Sequence, residues 1–404
     1  MYDAIIVGAR CAGSPLAMLL ARKGYRVLVV DRSTFPSDTI STHHIHQPGV
    51  ARLERWGLLE RLRATNCPPT TAMSFDVGPF ALRGAQPPAD GAAEAYAPRR
   101  TVLDQMLVAA AAEAGAEVRE GFTVEGLIEE GGRVAGIRGA GRGGRGVTER
   151  ARVVVGADGR ASFVARAVGA PAYRERPVLT CNYYSYWSGV ELEMPMLYVR
   201  ERRFMVADRT NDGLTMVCVV WPAEEFNRVR ADAEGNFMRS LDLAPDLAAR
   251  VRAGRREEPL RGTGQIPNFF RKACGPGWAL VGDAGYFKDP LTAQGISDSF
   301  KQAEWLAEAL DEGFTGRLPL DEALARCWRR RDDESLPMYE HTCQLAALAP
   351  PPPEMRELFA ALRENPAETS RFFGTVSGAT DPREFFSPEN IRRIVGPATL
   401  RPAA

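Results

Sequence analysis

Apolar and polar positions follow two rhythms along this chain, and the changes of rhythm mark its organisation. Ala4–Gly8, AIIVG, is a short continuous apolar run rich in β-branched residues, the pattern of a buried parallel strand. Ser14–Gly24, SPLAMLLARKG, carries the helical period, with Gly24 placed as a C-terminal stop. Tyr25–Asp31, YRVLVVD, is a second buried strand. A polar loop with Pro36 and several Ser and Thr residues follows, then a helix starting near Pro48. Residues 70–84 predict two short strands, residues 85–98 a connection rich in Pro, Gly and Ala, and residues 99–118 a long amphipathic helix leading into a strand. Residues 151–159 form another apolar strand ending in an Asp-Gly turn. Residues 173–222 are rich in aromatic and β-branched residues, as in an antiparallel sheet. Residues 223–258 read as helical, and residues 278–310 as strand, loop and long helix. The remainder is helical with proline breaks, including Pro350–Pro353. There is no internal repeat.

Two glycine stretches compete for the role of a dinucleotide fingerprint. Residues 139–144, GAGRGG, match G-x-G-x-x-G literally, whereas residues 7–13, VGARCAG, carry Arg10 where the middle glycine belongs. The fingerprint acts through context: a buried strand ahead of it and a helix opening behind it, whose free N–H groups and positive dipole end meet a pyrophosphate. The early stretch has that context. It is followed by Asp31, an acid about 20 residues past the glycines, where a carboxylate accepts from ribose hydroxyls. The late stretch is flanked by two strand-like segments and reads as a hairpin turn. Arg10 has two readings, a cation that helps hold the diphosphate or a solvent-facing side chain.

Nucleotide-binding pieces thus recur at the start, in the middle and near residue 280, with sheet-like pieces between them. The expected fold class is α/β, a Rossmann-like domain with an inserted antiparallel-sheet domain and C-terminal helices. The first domain comprises residues 1–70, 95–172 and 262–345, the inserted domain residues 71–94 and 173–261, and the C-terminal helical segment residues 346–404.

Composition narrows the class rather than the chemistry. With 404 residues the chain is long enough for two domains, and 45% hydrophobic with 25% charged residues is ordinary for a soluble globular protein. The 51 basic and 51 acidic residues cancel, which gives no reason to expect nucleic acid or an anionic membrane as partner. Seven cysteines, an odd number with no C-x-x-C pair, argue against a zinc site or a disulfide framework and suit a reducing cytoplasm. No basic leader and no apolar run of about 18 residues is present, so neither a secretory signal nor a membrane span is expected. The oligomeric state is open.

Three motifs then align: the early fingerprint with Asp31; GADGRASFVAR, residues 156–166; and VGDAGYFKDPLTAQGISD, residues 281–298. In order and spacing they resemble flavoprotein monooxygenases of the para-hydroxybenzoate hydroxylase fold, the broad group that also contains geranylgeranyl reductases and flavin-dependent halogenases. The resemblance covers roughly residues 1 to 345 and implies FAD as cofactor, with NADPH or NADH as a transient reductant. It implies cofactor contacts from Gly8, Arg10, Ala12, Gly13, Asp31, Arg32, Arg100, Val124 and Asp158, the last together with Arg166 also facing NAD(P)H. It further implies that Asp283 meets the ribityl chain, that Pro290 begins a turn beside the isoalloxazine, and that Gln294, Gly295 and Ile296 open a helix toward a reduced flavin ring. Beside these stand plainer readings: Asp283 as a helix cap, Asp158-Gly159 as an ordinary turn, and Arg100 as a surface residue.

Three of the four histidines lie in THHIHQ, as His43, His44 and His46. Carboxylate or thiolate partners and helical i, i+4 spacing are missing, so no metal is expected. In this fold the loop after the second strand runs past the flavin, which makes Thr42 and His43 the candidates to bond the flavin, move a proton or touch substrate. A structural loop histidine is the competing reading. Tyr184 and Tyr186 share one face of a strand and Tyr183 with Trp187 the other. The first pair are the candidates to line a substrate pocket, although such residues are more often core.

The activity the resemblance implies is monooxygenation, in which NAD(P)H reduces FAD and a flavin C4a-hydroperoxide transfers oxygen to a small, largely apolar or aromatic substrate. The alternative is reduction of carbon–carbon double bonds, as in geranylgeranyl reductases. Halogenases of this fold use a lysine in the segment before the long helix and a W-x-W-x-I-P motif. No lysine occurs between Lys23 and Lys272 and that motif is absent, so halogenation ranks lower. A non-catalytic binding module of the Rab escort type is disfavoured by the set Asp31, Asp158 and Asp283.

Overall fold

The computed structural model describes residues 1–396 apart from Arg142 and Arg145. The strand Tyr2–Val7 is the centre of the first sheet, paired in parallel with Val27–Asp31 on one side and Gly146–Gly156 on the other. Glu117–Glu120 extends the sheet beyond Val27–Asp31, and Trp278–Leu280 extends it beyond Gly146–Gly156, both in parallel. All the residues of Val27–Asp31 are buried, which is why its sequence is continuously apolar rather than alternating. Helices Gly13–Arg22, Arg100–Glu113 and Gly295–Phe314 share a core with this sheet through Leu16, Leu20, Val29, Leu103, Leu107 and Phe300. This is the α/β, Rossmann-like architecture the sequence predicts.

Arg133–Ala140 and Gly146–Gly156 pair antiparallel, with Ala140 opposite Gly146, so the literal G-x-G-x-x-G is the turn of a hairpin. Of that turn, Arg142 and Arg145 lie outside the described residues. The strand Thr123–Glu130, which the sequence reading passed over, completes this layer by pairing with Arg133–Ala140.

The second sheet is built from Thr180–Ser188, Thr215–Pro222, Arg203–Arg209 and Met196–Arg200 in antiparallel succession, extended by Ala72–Asp76 and Ala81–Ala85. Its two faces differ. Tyr183, Trp187, Met205, Val217 and Trp221 bury themselves against helices Ala233–Leu241 and Pro245–Ala253. The opposite face, including Tyr184, Phe204, Val206 and Met216, looks toward the first sheet. A small third sheet pairs Asn268–Arg271 with Ala172–Arg176 and Tyr286–Phe287.

The run Pro350–Pro352 falls in the break between helices Leu320–Ala346 and Pro353–Arg363, as the sequence predicts, Pro337 lies inside the former, and other C-terminal prolines start helices. Pro353, Pro366, Pro382 and Pro388 each stand in the first turn of a helix, where a missing N–H costs nothing and the fixed φ helps. These helices cover the edge of the second sheet: Leu358, Leu362, Phe372, Phe373 and Phe385 pack on Met73 and Leu82. Among the described residues, no helix is long and apolar enough to cross a membrane.

Candidate active site

A cavity of about 880 Å³ runs between the first sheet and the open face of the second. At one end the strand Tyr2–Val7 turns into the helix Gly13–Arg22 with almost no clearance. A Cβ on Gly13 would lie 1.8 Å from the carbonyl oxygen of Gly8, and one on Gly8, at φ +107°, would lie 2.4 Å from that of Ala157. Three chain segments therefore cross where only backbone fits, which is the physical reason for the first and last glycines of the fingerprint. Gly13 builds this crossing from behind, whereas Gly8, Ala12, Asp31, Arg32 and Val124 line the cavity itself. The Asp31 carboxylate accepts from the N–H groups of Ala9 and Ser33, each at 2.8 Å, and is held rigidly at the end of its strand. A braced carboxylate beside a cradle that a single Cβ would fill, at a helix N-terminus, suits the ribose and diphosphate of a dinucleotide.

Arg10 is engaged elsewhere than its place in the motif suggests. Its guanidinium pairs with Asp104, donates to Ser37 O at 3.1 Å and Ser37 Oγ at 2.7 Å, and lies 5.2 Å from the Phe35 ring centre. Arg100 grips the same acid one helical turn away, at 2.8 and 3.0 Å from Nη2. Asp104 is fully buried between them, with Cys11 Sγ at 3.4 Å from its Oδ1. Both arginines line the cavity while holding this acid. Asp104 is a site residue beyond those expected from the motifs, and its sequence signal is R-x-x-x-D at helical spacing from Arg100.

Asp158 accepts from Ser162 Oγ at 2.5 Å and from the N–H groups of Phe163 and Val164 at 2.6 and 3.2 Å. It thus knits the Asp-Gly loop onto the start of helix Phe163–Ala167, so its plainer reading, a turn acid, has a definite structural basis. Arg166 Nη1 donates to Ala161 O at 2.5 Å, closing the same loop. Asp158, Arg160 and Arg166 all reach the cavity wall.

The third motif forms the long wall. Asp283 sits in the turn Gly282–Ala284, and burial raises its pKa to about 6 against the opposing pull of Arg100, Arg160 and Lys288. Asp289, 1% exposed, is likewise raised to about 6 by burial, while accepting from Thr180 Oγ1 at 2.6 Å and Leu291 N at 3.1 Å. Lys288 is buried, paired with Asp298 and donating to Tyr286 Oη at 3.0 Å. Pro290–Thr292 makes a tight turn, Ala293 takes φ +54°, and Gln294 leads into helix Gly295–Phe314. Pro290, Gln294, Gly295 and Ile296 all face the cavity, and Gln294 Nε2 is tied to Val376 O of the C-terminal helices.

The histidine loop departs from expectation. Thr42 lines the cavity, but His43 does not: at φ +64° its ring turns away and is fully buried, with Nε2 2.6 Å from Tyr186 Oη. Burial, followed by the charges of Arg100, Arg99 and Arg261, lowers its pKa to about 3, so it is neutral. Tyr184 lines the cavity and Tyr186 stands behind it, their rings 5.9 Å apart. The two neighbouring histidines occupy the wall instead. His44 Nδ1 is 2.9 Å from Asp208 Oδ2, His46 Nε2 is 3.0 Å from Thr292 O, and the two rings are 4.6 Å apart. Asp208 shares its strand face with Phe204 and Val206, an acid in an apolar stripe that alternation alone could have flagged.

Residues 1–252 match the family described as FAD binding domain. Digeranylgeranylglycerophospholipid reductase 2 of Methanopyrus kandleri is 29% identical over 338 residues, covering 78% of this chain and 79% of that protein. The 6-methylpretetramide 4-monooxygenase of Streptomyces rimosus is 34% identical over 188 residues, 45% of this chain and 44% of that one. Among solved structures, the myxobacterial chondrochloren halogenase CndH superposes with a TM-score of 0.80 at 22% identity, covering 98% of this chain and 95% of its own, which speaks for the shared fold.

Proposed function

This chain belongs to the FAD binding domain family and is an FAD-dependent oxidoreductase, and from that premise we propose that it is a monooxygenase acting on a small, largely apolar or aromatic substrate with NAD(P)H as transient reductant. The observation that carries the reading is that one cavity has two chemically distinct walls. The turn Pro290–Thr292 and the start of helix Gly295–Phe314 form one, and the apolar sheet face of Leu197, Phe204, Val206, Met216 and Val220 forms the other.

In this reading residues 1–70, 95–172 and 262–345 bind FAD and residues 71–94 and 173–261 carry the substrate wall. Gly8, Ala12, Asp31 and Arg32 hold the adenosine and diphosphate end, with Gly13 keeping the crossing tight. Arg100, Val124 and Asp158 flank the middle, and Asp283 meets the ribityl chain. When bound, FAD supplies the two-electron carrier and the centre that activates O₂. The residues of this chain do the rest. The N–H groups at the start of helix Gly295–Phe314 favour negative charge on the flavin ring. The apolar sheet face excludes water and orients the substrate, with Thr42 and Tyr184 at its edge.

Double-bond reduction is the second reading, favoured by the 29% identity over 338 residues with an archaeal lipid reductase. Turnover of the flavin-loaded enzyme with NADPH, in ¹⁸O₂ and under argon, separates the two. A monooxygenase incorporates one ¹⁸O per product and stops under argon. A saturated product formed under argon replaces this reading with the reductase.

A further inference from the structure

The turn and helix assigned to the flavin ring enclose a buried ion pair. Of the chain's four lysines only Lys288 is buried, and it lines the cavity together with its partner Asp298. Its ammonium pairs with the Asp298 carboxylate and donates to Tyr286 Oη at 3.0 Å. The two side chains are 5% and 13% exposed. Taking two charges out of water costs more than most such pairs return, and an apolar pair of similar volume commonly serves a fold as well. Stability is therefore a weak reason for this pair.

Its position supplies a better one. Asp298 stands in the first turn of helix Gly295–Phe314, with its N–H bonded to Gln294 O at 2.9 Å. That turn is the positive end of the helix dipole, and an uncancelled carboxylate in it would oppose the field of the helix start. Lys288 comes from the far side of the turn, two residues ahead of Pro290, and neutralises that carboxylate. Both charges act across the wall. Burial raises the pKa of Asp283, and among the charges that act on it Arg100, Arg160 and Lys288 lower it while Asp298 raises it. The pair thus lies within electrostatic reach of the acid assigned to the ribityl chain.

We propose that Lys288 and Asp298 set the reduction potential of the flavin held in this cavity, Lys288 by cancelling the acid at the helix start so that negative charge on the reduced ring is favoured. The proposal rests on assigning the turn Pro290–Thr292 and helix Gly295–Phe314 to the flavin ring. It holds equally for oxygen transfer and for double-bond reduction, since both use the reduced cofactor. The direction follows from charge. Without the ammonium, the Asp298 carboxylate is uncancelled and disfavours reduction. Without the carboxylate's charge, the ammonium is uncancelled and favours it. Lysine suits this task, because its charge is compact where a guanidinium spreads it over a plane.

The test reduces flavin-loaded enzyme slowly with xanthine and xanthine oxidase in the absence of O₂, beside a reference dye of known potential, and reads flavin and dye by absorbance. Lys288→Met is expected to lower the ratio of reduced to oxidised flavin at a given potential at least about tenfold, about 30 mV for a two-electron couple. Asp298→Asn, the nearly isosteric variant, is expected to raise it by a similar factor, and the double variant to fall between the two. A pair that only braced the turn would not move the two single variants in opposite directions. Loss of flavin from a single variant that keeps its circular dichroism spectrum, with recovery in the double variant, would also support the proposal, since only the double variant restores charge balance. Shifts in the same direction, no shift in either single variant, or loss of flavin from all three variants would each overturn it. No NAD(P)H, O₂ or substrate enters the measurement, so its outcome is independent of the ¹⁸O₂ experiment that decides the monooxygenase reading.

Discussion

Asp104 shows at the scale of one residue why a damaged motif still works. A glycine at position 10 would leave Asp104 to Arg100 alone, whereas Arg10 ties the same acid to the loop at Ser37 and so connects three segments at the mouth of the nucleotide cradle. Asp104→Ala would strand two guanidinium groups, one of them buried, and is expected to cost about 3–5 kcal/mol. Arg10→Gly leaves the Arg100–Asp104 pair intact, and the Arg10 side chain is 23% exposed, so a cost of only about 1 kcal/mol is expected. Urea unfolding of the two variants measures both; equal losses would mean that Asp104 is not the centre of this cluster. The partner of Arg10 was not legible in the sequence because it lies 94 residues away. The histidines carry the same lesson. Sequence placed the loop correctly, but the left-handed backbone at His43 decides that its ring turns inward while His44 and His46 take the wall. No periodicity reports a single inverted φ.

At the scale of elements, the strand–glycine–helix entry was legible because it is local: apolar run, glycine crossing, helix and acid all fall within residues 2–31. Gly13 and Gly24 flank the same helix for different reasons, and this yields a paired prediction. Gly13→Ala would push a Cβ into the Gly8 carbonyl at 1.8 Å, forcing the strand and helix apart. Loss of bound flavin and destabilisation beyond about 3 kcal/mol are expected, the range of severe backbone strain and overpacking. Gly24 has φ +87° but open space around its missing Cβ, so Gly24→Ala is expected to cost about 1 kcal/mol and to leave the flavin-to-protein ratio unchanged. Absorbance of the purified variants and their thermal unfolding provide the check, and a flavin-replete Gly13→Ala would remove the steric account of the fingerprint. The role of the C-terminal helices was not legible in this way. Their apolar faces are visible in sequence, but the surface that receives them, Met73 and Leu82 on strands some 280 residues earlier, is set by tertiary packing alone.

At the scale of the whole molecule, the cavity buries two carboxyl groups at a cost to their charged forms, and pH exposes this. Asp283 and Asp289 both line the cavity, each raised from 3.8 to about 6 by burial. A raised carboxyl pKa means that folding favours the protonated form. The contribution is fully present below about pH 4, is lost as pH rises toward about 6, and is level above it. A rise from 3.8 to about 6 is worth about 3 kcal/mol per group at about 1.4 kcal/mol per pH unit, an upper figure for Asp283 because it borders the cavity. Flavin-free wild type is therefore expected to lose stability, relative to Asp283→Asn and Asp289→Asn, between pH 4 and pH 7. The Asn forms cancel the titration but keep the shape, so the difference between curves isolates these two groups from every other carboxylate. Bound FAD adds stability by mass action, about 2.7 kcal/mol at a hundredfold excess over its dissociation constant. For FAD-loaded wild type the whole curve should rise, and because Asp283 then faces the ribityl chain in the proposed arrangement, its slope should change as well. Parallel curves for wild type and both variants across this range would show that neither acid is charged at a cost in the fold, and would remove Asp283 as the titrating group of the flavin wall.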